Sequence, residues 1–232
     1  MLEYTVIADA YERIEATTKR LEMTDLLVEL LKKTPKSKIG KVVYLTQGKI
    51  YPDFVGLEIG VAEKLAVKAL SRASGIKNVE LFKLLAKIGD IGEVTEKVIK
   101  TKKQSTLGAP KTLTVERVYE VLDKMAKTLG SGAVDSKMAL LAGLLSDASP
   151  KEAKYIMRTV TGNLRLGIAD MTVLDALAIA VWIGNGDIVM IAGEFPEIFW
   201  LIGCGKVTLC MLERHEAVVF AVHDEEWNVE GG

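Results

Sequence analysis

The sequence predicts an all-α domain over residues 1–180, followed by a segment of different character over residues 181–232. Three observations carry that prediction. Apolar residues recur at helical spacing through the first segment, helix start and stop signals bracket them, and the charge balance reverses at the boundary. Residues 1–180 hold 28 Lys and Arg against 22 Asp and Glu, a balance of +6, whereas residues 181–232 hold 2 against 9, a balance of −7. The overall charge of −1 conceals that contrast.

In chain order, Leu26, Leu27, Leu30 and Leu31 pair at i and i+4 behind Thr24, which is positioned as a cap, and Pro35 stops the helix. Residues Gly60 to Ser74 place Ala62, Leu65, Ala66, Ala69 and Leu70 on one helical face. Thr114 precedes Val118, Val121, Leu122 and Met125, a run closed by Gly130. The strongest start signal is Ser149, Pro150 and Glu152: a cap hydroxyl, a proline at the first helical position and a carboxylate placed for a capping box. The helix it opens carries Ala153, Ile156, Met157 and Val160 on its apolar face and stops at Gly162. Short linkers predict that these helices pack as one compact multi-helix domain. In the tail, Ile188 to Ala192, Phe199 to Ile202, Val207 to Leu212 and Val218 to Val222 are β-branched or aromatic runs that propensity reads as short strands.

Composition excludes several classes. A chain of 232 residues with 49% hydrophobic and 26% charged residues has the material for a full core and is not a disordered chain. The 2 cysteines, Cys204 and Cys210, give no disulfide framework, so a reducing cytoplasm is expected. The start MLEYTVIADA has no basic region ahead of an apolar core, so no signal peptide is expected. The most apolar stretch, Ala176 to Leu212, is interrupted by Asp187, Glu194 and Glu197 before reaching the ~18 residues of a membrane span.

No Walker A, G-x-G-x-x-G, G-x-S-x-G or H-E-x-x-H motif is present. Cys204, Cys210, His215 and His223 lack the tight paired spacing of a structural zinc site, so no metal is expected. The informative patterns are cationic. Lys151, Lys154, Tyr155 and Arg158 recur at spacings of three and four, read as lying opposite the apolar face, and lead into Gly162, Asn163, Leu164, Arg165, Leu166 and Gly167. Arginine beside flexible glycines suits a phosphate; a solvated helix face with a glycine stop accounts for the same pattern. Lys64, Lys68 and Arg72 form a second ridge at i, i+4 and i+8, for which an anionic partner and plain solvation are both open. Lys97, Lys100, Lys102, Lys103 and Lys111 surround a polar loop from Thr101 to Pro110. Lys32, Lys33, Lys36, Lys38 and Lys41 sit where a helix C-terminus favours cations.

Five colinear stretches resemble one family. They are YERIEATTKRLEMTDLLVELL (Tyr11 to Leu31), YLTQGKIYPDFVGLEIGVAEKLAVKAL (Tyr44 to Leu70), GDIGEVTEKVIKTKKQ (Gly89 to Gln104), LTVERVYEVLDKMA (Leu113 to Ala126) and LLAGLLSDASPKEAKYIMRTVTGNLRLGIAD (Leu140 to Asp170). Together they resemble the N-terminal DNA-binding domain of archaeal-type ATP-dependent DNA ligases. The resemblance implies a helical domain that grips nicked duplex DNA across the minor groove through phosphates, in ligation, replication, repair and recombination. The family's R-x-x-x-G-x-L-R-x-G element falls on Arg158, Gly162, Leu164, Arg165 and Gly167, making Arg158 and Arg165 the first phosphate-contact candidates, with Asn163 at a variable position. Lys151, Lys154, Lys64, Lys68 and Arg72 are added from helix geometry.

The resemblance further implies a sliding-clamp contact, for which Gln104 and Leu107 fit the glutamine and aliphatic positions, while Gly108 and Ala109 stand where an aromatic anchor is expected. Family ligases join AMP to a lysine in a Lys-x-Asp-Gly motif, and this chain contains no Asp-Gly dipeptide. ATP and Mg are therefore expected only for the full-length family, and the chain alone is not expected to seal a nick. The resemblance fades after Leu174 to Val181, which is consistent with a truncated or frame-disrupted gene or with a short protein bearing an acidic tail. The alternatives to a DNA-binding module are a catalytically silent interaction protein that recruits a clamp or repair factor, and a subunit lending DNA grip to a separate nucleotidyltransferase chain.

Overall fold

The computed structural model describes residues 2–52, 55–101 and 112–182, together with the backbone of three strands between residues 198 and 222. The described residues form two compact units. One comprises Met1–Lys19 with Lys41–Ile168, the other Arg20–Gly40 with Ala169–Gly232.

The first unit is helical. It contains α1 (Tyr4–Glu15), most of α3 (Ile39–Thr46), α4 (Glu63–Ser74), α5 (Asn78–Ile88), α6 (Ile91–Thr101), α7 (Val115–Lys127), α8 (Ala133–Asp147) and α9 (Pro150–Val160). Helix α9 is central, packing along α6 and against α1 and α8, while α4 packs on α8, α5 and α6. Tyr4, Ile7, Tyr11, Ile14, Leu70, Leu122, Met125, Tyr155 and Ile156 are all fully buried in its core. The rings of Tyr11 and Tyr155 meet edge to face, 5.4 Å apart at 78°.

Local chemistry sets the helix ends. Ser149 Oγ accepts from Glu152 N–H at 3.4 Å and Glu152 Oε2 accepts from Ser149 N–H at 2.8 Å, completing the capping box behind Pro150. Glu152 Oε1 also accepts from Thr5 Oγ1 at 2.6 Å, so one carboxylate both closes α9 and ties it to α1. Thr114 caps α7, its Oγ1 accepting from Arg117 N–H at 3.2 Å. The chain start is pinned to the same place: Tyr4 N–H donates to Leu113 O at 2.8 Å and Val115 N–H donates to Leu2 O at 3.0 Å.

The second unit contains α2 (Arg20–Lys33), a 3-10 turn (Lys36–Lys38), α10 (Asp170–Trp182) and an antiparallel sheet in the order β1 (Ile198–Gly203), β2 (Lys206–Glu213), β3 (Glu216–Val222). Helices α2 and α10 pack together, with an exposed Arg20–Asp175 ion pair at 2.6 Å. Thr24 is not a cap. Helix α2 starts at Arg20, because its buried face begins with Met23 ahead of the leucines, and Thr24 Oγ1 donates back to Arg20 O at 3.0 Å inside the helix. Helix α4 likewise starts at Glu63 rather than Gly60, leaving Ala62 outside it and exposed. The strands read from propensity at 199–202, 207–212 and 218–222 each fall within a strand of the sheet, with Phe199 opposite Cys210 and Cys210 opposite Val219. The run Ile188 to Ala192 lies outside the described residues.

Replacing Ser149 by Ala removes the cap hydroxyl from α9, and a loss of about 1 kcal/mol in unfolding free energy is expected. Urea denaturation of the two proteins measures it, and an unchanged midpoint would show that the Glu152 half of the box suffices.

Candidate functional site

The residues around α9 are organised by the two-residue turn between α5 and α6, Gly89 and Asp90. Gly89 ends α5 in the left-handed conformation, with φ +77°, and Asp90 starts α6 by accepting Glu93 N–H on Oδ1 at 2.9 Å. The same oxygen receives Arg158 Nε at 3.1 Å, and Oδ2 receives Arg165 Nη1 at 3.1 Å. Gly92 follows because the guanidinium of Arg158 crosses α6 there: a Cβ on residue 92 would stand 2.7 Å from Arg158 Cγ and 2.8 Å from its Nε. The sequence Gly-Asp-Ile-Gly-Glu thus contains a helix stop, a carboxylate that both caps and pairs, and clearance for an arginine.

Arg158 is interior, its side chain 3% exposed. Besides Asp90, it stands 3.0 Å from Glu15 Oε1 through Nη1, an ion pair without hydrogen-bond alignment, and 4.0 Å from Glu93 through Nη2. Glu15 also takes Lys154 Nζ at 3.0 Å and the Tyr155 hydroxyl at 2.9 Å. One turn earlier, Lys151 Nζ bridges Asp9 at 2.8 Å and Glu12 at 2.6 Å. The acids of α1 at positions 9, 12 and 15 therefore pair with the cations of α9 along the length of both helices.

This arrangement corrects the reading of Lys151, Lys154, Tyr155 and Arg158 as a cationic face turned away from the apolar one. Tyr155 and Arg158 are buried, and the charges of Lys151, Lys154 and Arg158 are matched within the fold by α1 and Asp90. Burial raises the pKa of Asp90, but the Arg158 hydrogen bond, the Glu93 N–H and the charges of Arg158 and Arg165 outweigh it and hold the carboxyl below its usual range. Glu15 is lowered in the same way: burial opposes, and the pairing with Lys154 and Arg158 and the hydrogen bond from the Tyr155 hydroxyl prevail.

Past α9 the chain turns outward. Gly162 has φ +70° and open space where a Cβ would stand. From there burial alternates, with Leu164 and Leu166 buried and Asn163, Arg165 and Gly167 exposed. Leu164 rests on Gly48, whose Cβ position lies 3.6 Å from it. Arg165 has φ +55°, the one non-glycine residue with positive φ among those described, and its side chain is 56% exposed. A cleft of about 770 Å³ lies beside this loop, lined by Gly48, Ile50, Gly56, Gly60, Thr161 and Gly162 among others.

Lys64, Lys68 and Arg72 are exposed on α4, with no acidic partner among the described residues. Lys97 and Lys100 are exposed on α6, and Lys41 lies 5.2 Å from the Tyr119 ring centroid. Gln104, Leu107 and the lysines at 102, 103 and 111 lie outside the described residues. No group of three His, Cys, Asp or Glu able to hold a metal ion occurs among the described residues, and none of their helices is long and apolar enough to cross a membrane. Asp90 and Gly92 were not among the residues the sequence singled out. Their signal was the pair of glycines flanking an acid directly ahead of an amphipathic run.

Residues 3–178 match a family model described as DNA ligase N terminus. DNA ligase 2 of Thermofilum pendens is 57% identical over 185 residues, covering 77% of this chain and 31% of its own. The DNA ligase of Nitrosopumilus maritimus and the probable DNA ligase of Aquifex aeolicus are each 49% identical over 179 residues, covering 77% of this chain and 30% of theirs. The chain thus spans 30–31% of the length of these relatives.

Two outcomes follow from the buried pair. Gly92→Ala should cost about 1–3 kcal/mol, since the new methyl overlaps an arginine held at both ends, despite alanine's better helix propensity; thermal unfolding of the two proteins tests it. Asp90 and Glu15 bind protons more weakly folded than unfolded. Their contribution to stability is therefore complete above the usual carboxylate range and is lost as pH falls below about 4. Unfolding midpoints from pH 7 to 3 should fall less steeply for Glu15→Gln than for the native protein.

Proposed function

The chain belongs to the DNA ligase N-terminus family, and from that premise we propose that it is the DNA-binding part of an ATP-dependent DNA ligase, holding nicked duplex DNA by its phosphates across the minor groove. The observation that carries the reading is the contrast between paired and unpaired cations. The cations of α9 are neutralised within the fold, whereas Lys64, Lys68 and Arg72 have no acidic partner among the described residues, and Arg165, held to Asp90 by one N–H, keeps its side chain largely exposed beside the exposed Gly162 and Gly167. Exposed cations on rigid helices and a fixed loop suit a phosphate backbone, which is recognised by charge and position rather than by base edges.

In this reading Arg165, Asn163 and the backbone at Gly162 and Gly167 meet the DNA, with the α4 ridge as a second contact. Arg158, Lys151 and Lys154 act from within, fixing α9 and the loop it carries. Nick sealing belongs to residues this chain does not contain: with no Asp-Gly dipeptide there is no Lys-x-Asp-Gly lysine for AMP. The chain then serves ligation, replication and repair in the cytoplasm as the grip for a nucleotidyltransferase domain or chain. A clamp contact through Gln104 and Leu107 is secondary, because Gly108 and Ala109 stand where an aromatic anchor belongs.

Salt titration of binding to nicked duplex DNA tests the reading. Affinity should fall linearly on a log–log plot, Arg165→Ala should reduce the slope by about 0.9, and neutralising Lys64, Lys68 and Arg72 together should reduce it by about 2.7. A slope untouched by both changes in folded proteins would sink the proposal.

A further inference from the structure

We infer that Asp90 is a positioning residue for DNA binding: its buried carboxylate, anchored by Arg158, holds the guanidinium of Arg165 in the orientation that presents it to a phosphate. The inference rests on the reading of Arg165 as a phosphate contact. Asp90 has two oxygens with separate duties. Oδ1 is occupied by Arg158 Nε and Glu93 N–H, which fix the carboxylate to α9 and to the start of α6. Oδ2 faces Arg165 Nη1 at 3.1 Å.

The two arginines on this carboxylate differ in kind. The Arg158 side chain is 3% exposed and threads past Gly92 with no room for a Cβ, so the anchor is immobile. The Arg165 side chain is 56% exposed and gives Asp90 a single N–H in the structure, leaving its remaining donors available to an anion. Asp90 itself is 8% exposed, too deep to compete with solvent or DNA for a second partner.

The backbone supports the same conclusion. Arg165 sits at φ +55°, a conformation a side-chain-bearing residue adopts at a cost, and Leu164 and Leu166 are buried on either side to hold it there. A loose surface arginine needs neither the left-handed backbone nor a buried acid beneath it. Holding the fork in place reduces the rotamer freedom lost when a phosphate binds.

The test is a double-mutant cycle on the full chain, with nicked duplex DNA as the probe. Arg165→Ala should weaken binding about tenfold and flatten the salt slope. Asp90→Asn keeps an oxygen for the α6 cap and for Arg158 Nε. It should weaken binding about threefold or more with Arg165 present, leave the salt slope unchanged, and have no effect in the Arg165→Ala background. An equal loss in both backgrounds would mean that Asp90 acts only on stability, and tighter binding by Asp90→Asn would mean that it acts only as a repelling charge; either overturns the inference. If Arg165→Ala binds as the native chain does, the phosphate reading itself fails, which the cycle reports separately. Should Asp90→Asn not fold, Arg165→Lys decides: it keeps the charge but not the fork, so it should lose nearly as much affinity as Arg165→Ala while keeping the native salt slope. Native affinity in Arg165→Lys would overturn the inference.

Discussion

The first unit depends on a guanidinium buried where water cannot reach it. An arginine at the centre of a helical core is tolerable only if its charge is opposed, because breaking such a pair costs about 3–5 kcal/mol. Arg158 is opposed by acids on two other helices: Asp90 at the start of α6, which accepts its Nε, and Glu15 at the end of α1, which lies 3.0 Å from its Nη1. Each of these positions then constrains its neighbours. Gly92 is excluded from carrying a side chain, Asp90 must remain a carboxylate at a helix cap, and α1 must end beside α9.

The pairing of α1 with α9 changes how charge should be counted. By sequence, residues 1–180 carry an excess of +6, and the densest cationic helix in that stretch is α9. In the structure, α9 contributes little of that excess to the outside, since Asp9, Glu12 and Glu15 answer Lys151, Lys154 and Arg158. Exposed cations lie elsewhere, on α4, α5 and α6 and at Arg165. A partner attracted by charge therefore meets surfaces chosen by which acids the fold has already used.

The division between what was legible and what was not follows from the range of the signals. Helix existence, the Ser149 capping box and the start of α7 just after Thr114 are local, and they stand where the spacing put them. Three of the tail's strands were readable from β-branched runs. Thr24 misled because a threonine before leucines looks like a start even when Met23 already belongs to the buried face. Helix α9 misled for a deeper reason: a helical wheel shows one helix, and whether a cationic stripe faces solvent depends on what packs against it. The matching acids at 9, 12 and 15 carry the same three-residue spacing as Lys151 and Lys154, so complementary periods in distant helices were a usable signal. The left-handed arginine left no trace at all, because nothing in Leu-Arg-Leu distinguishes it from an extended segment.

That last residue shows how the core reaches the surface. A backbone at φ +55° is most easily occupied by glycine or asparagine, and both stand close by, at Gly162 and Asn163. Arginine occupies the strained position instead. The strain of about 1–3 kcal/mol is sustained by the buried leucines on either side, which fix the backbone, and by the Asp90 oxygen that Arg158 leaves open, which fixes the side chain. The buried ion pair and the exposed cation are consequently parts of one device: the interior arginine orients the carboxylate, and the carboxylate orients the exterior arginine.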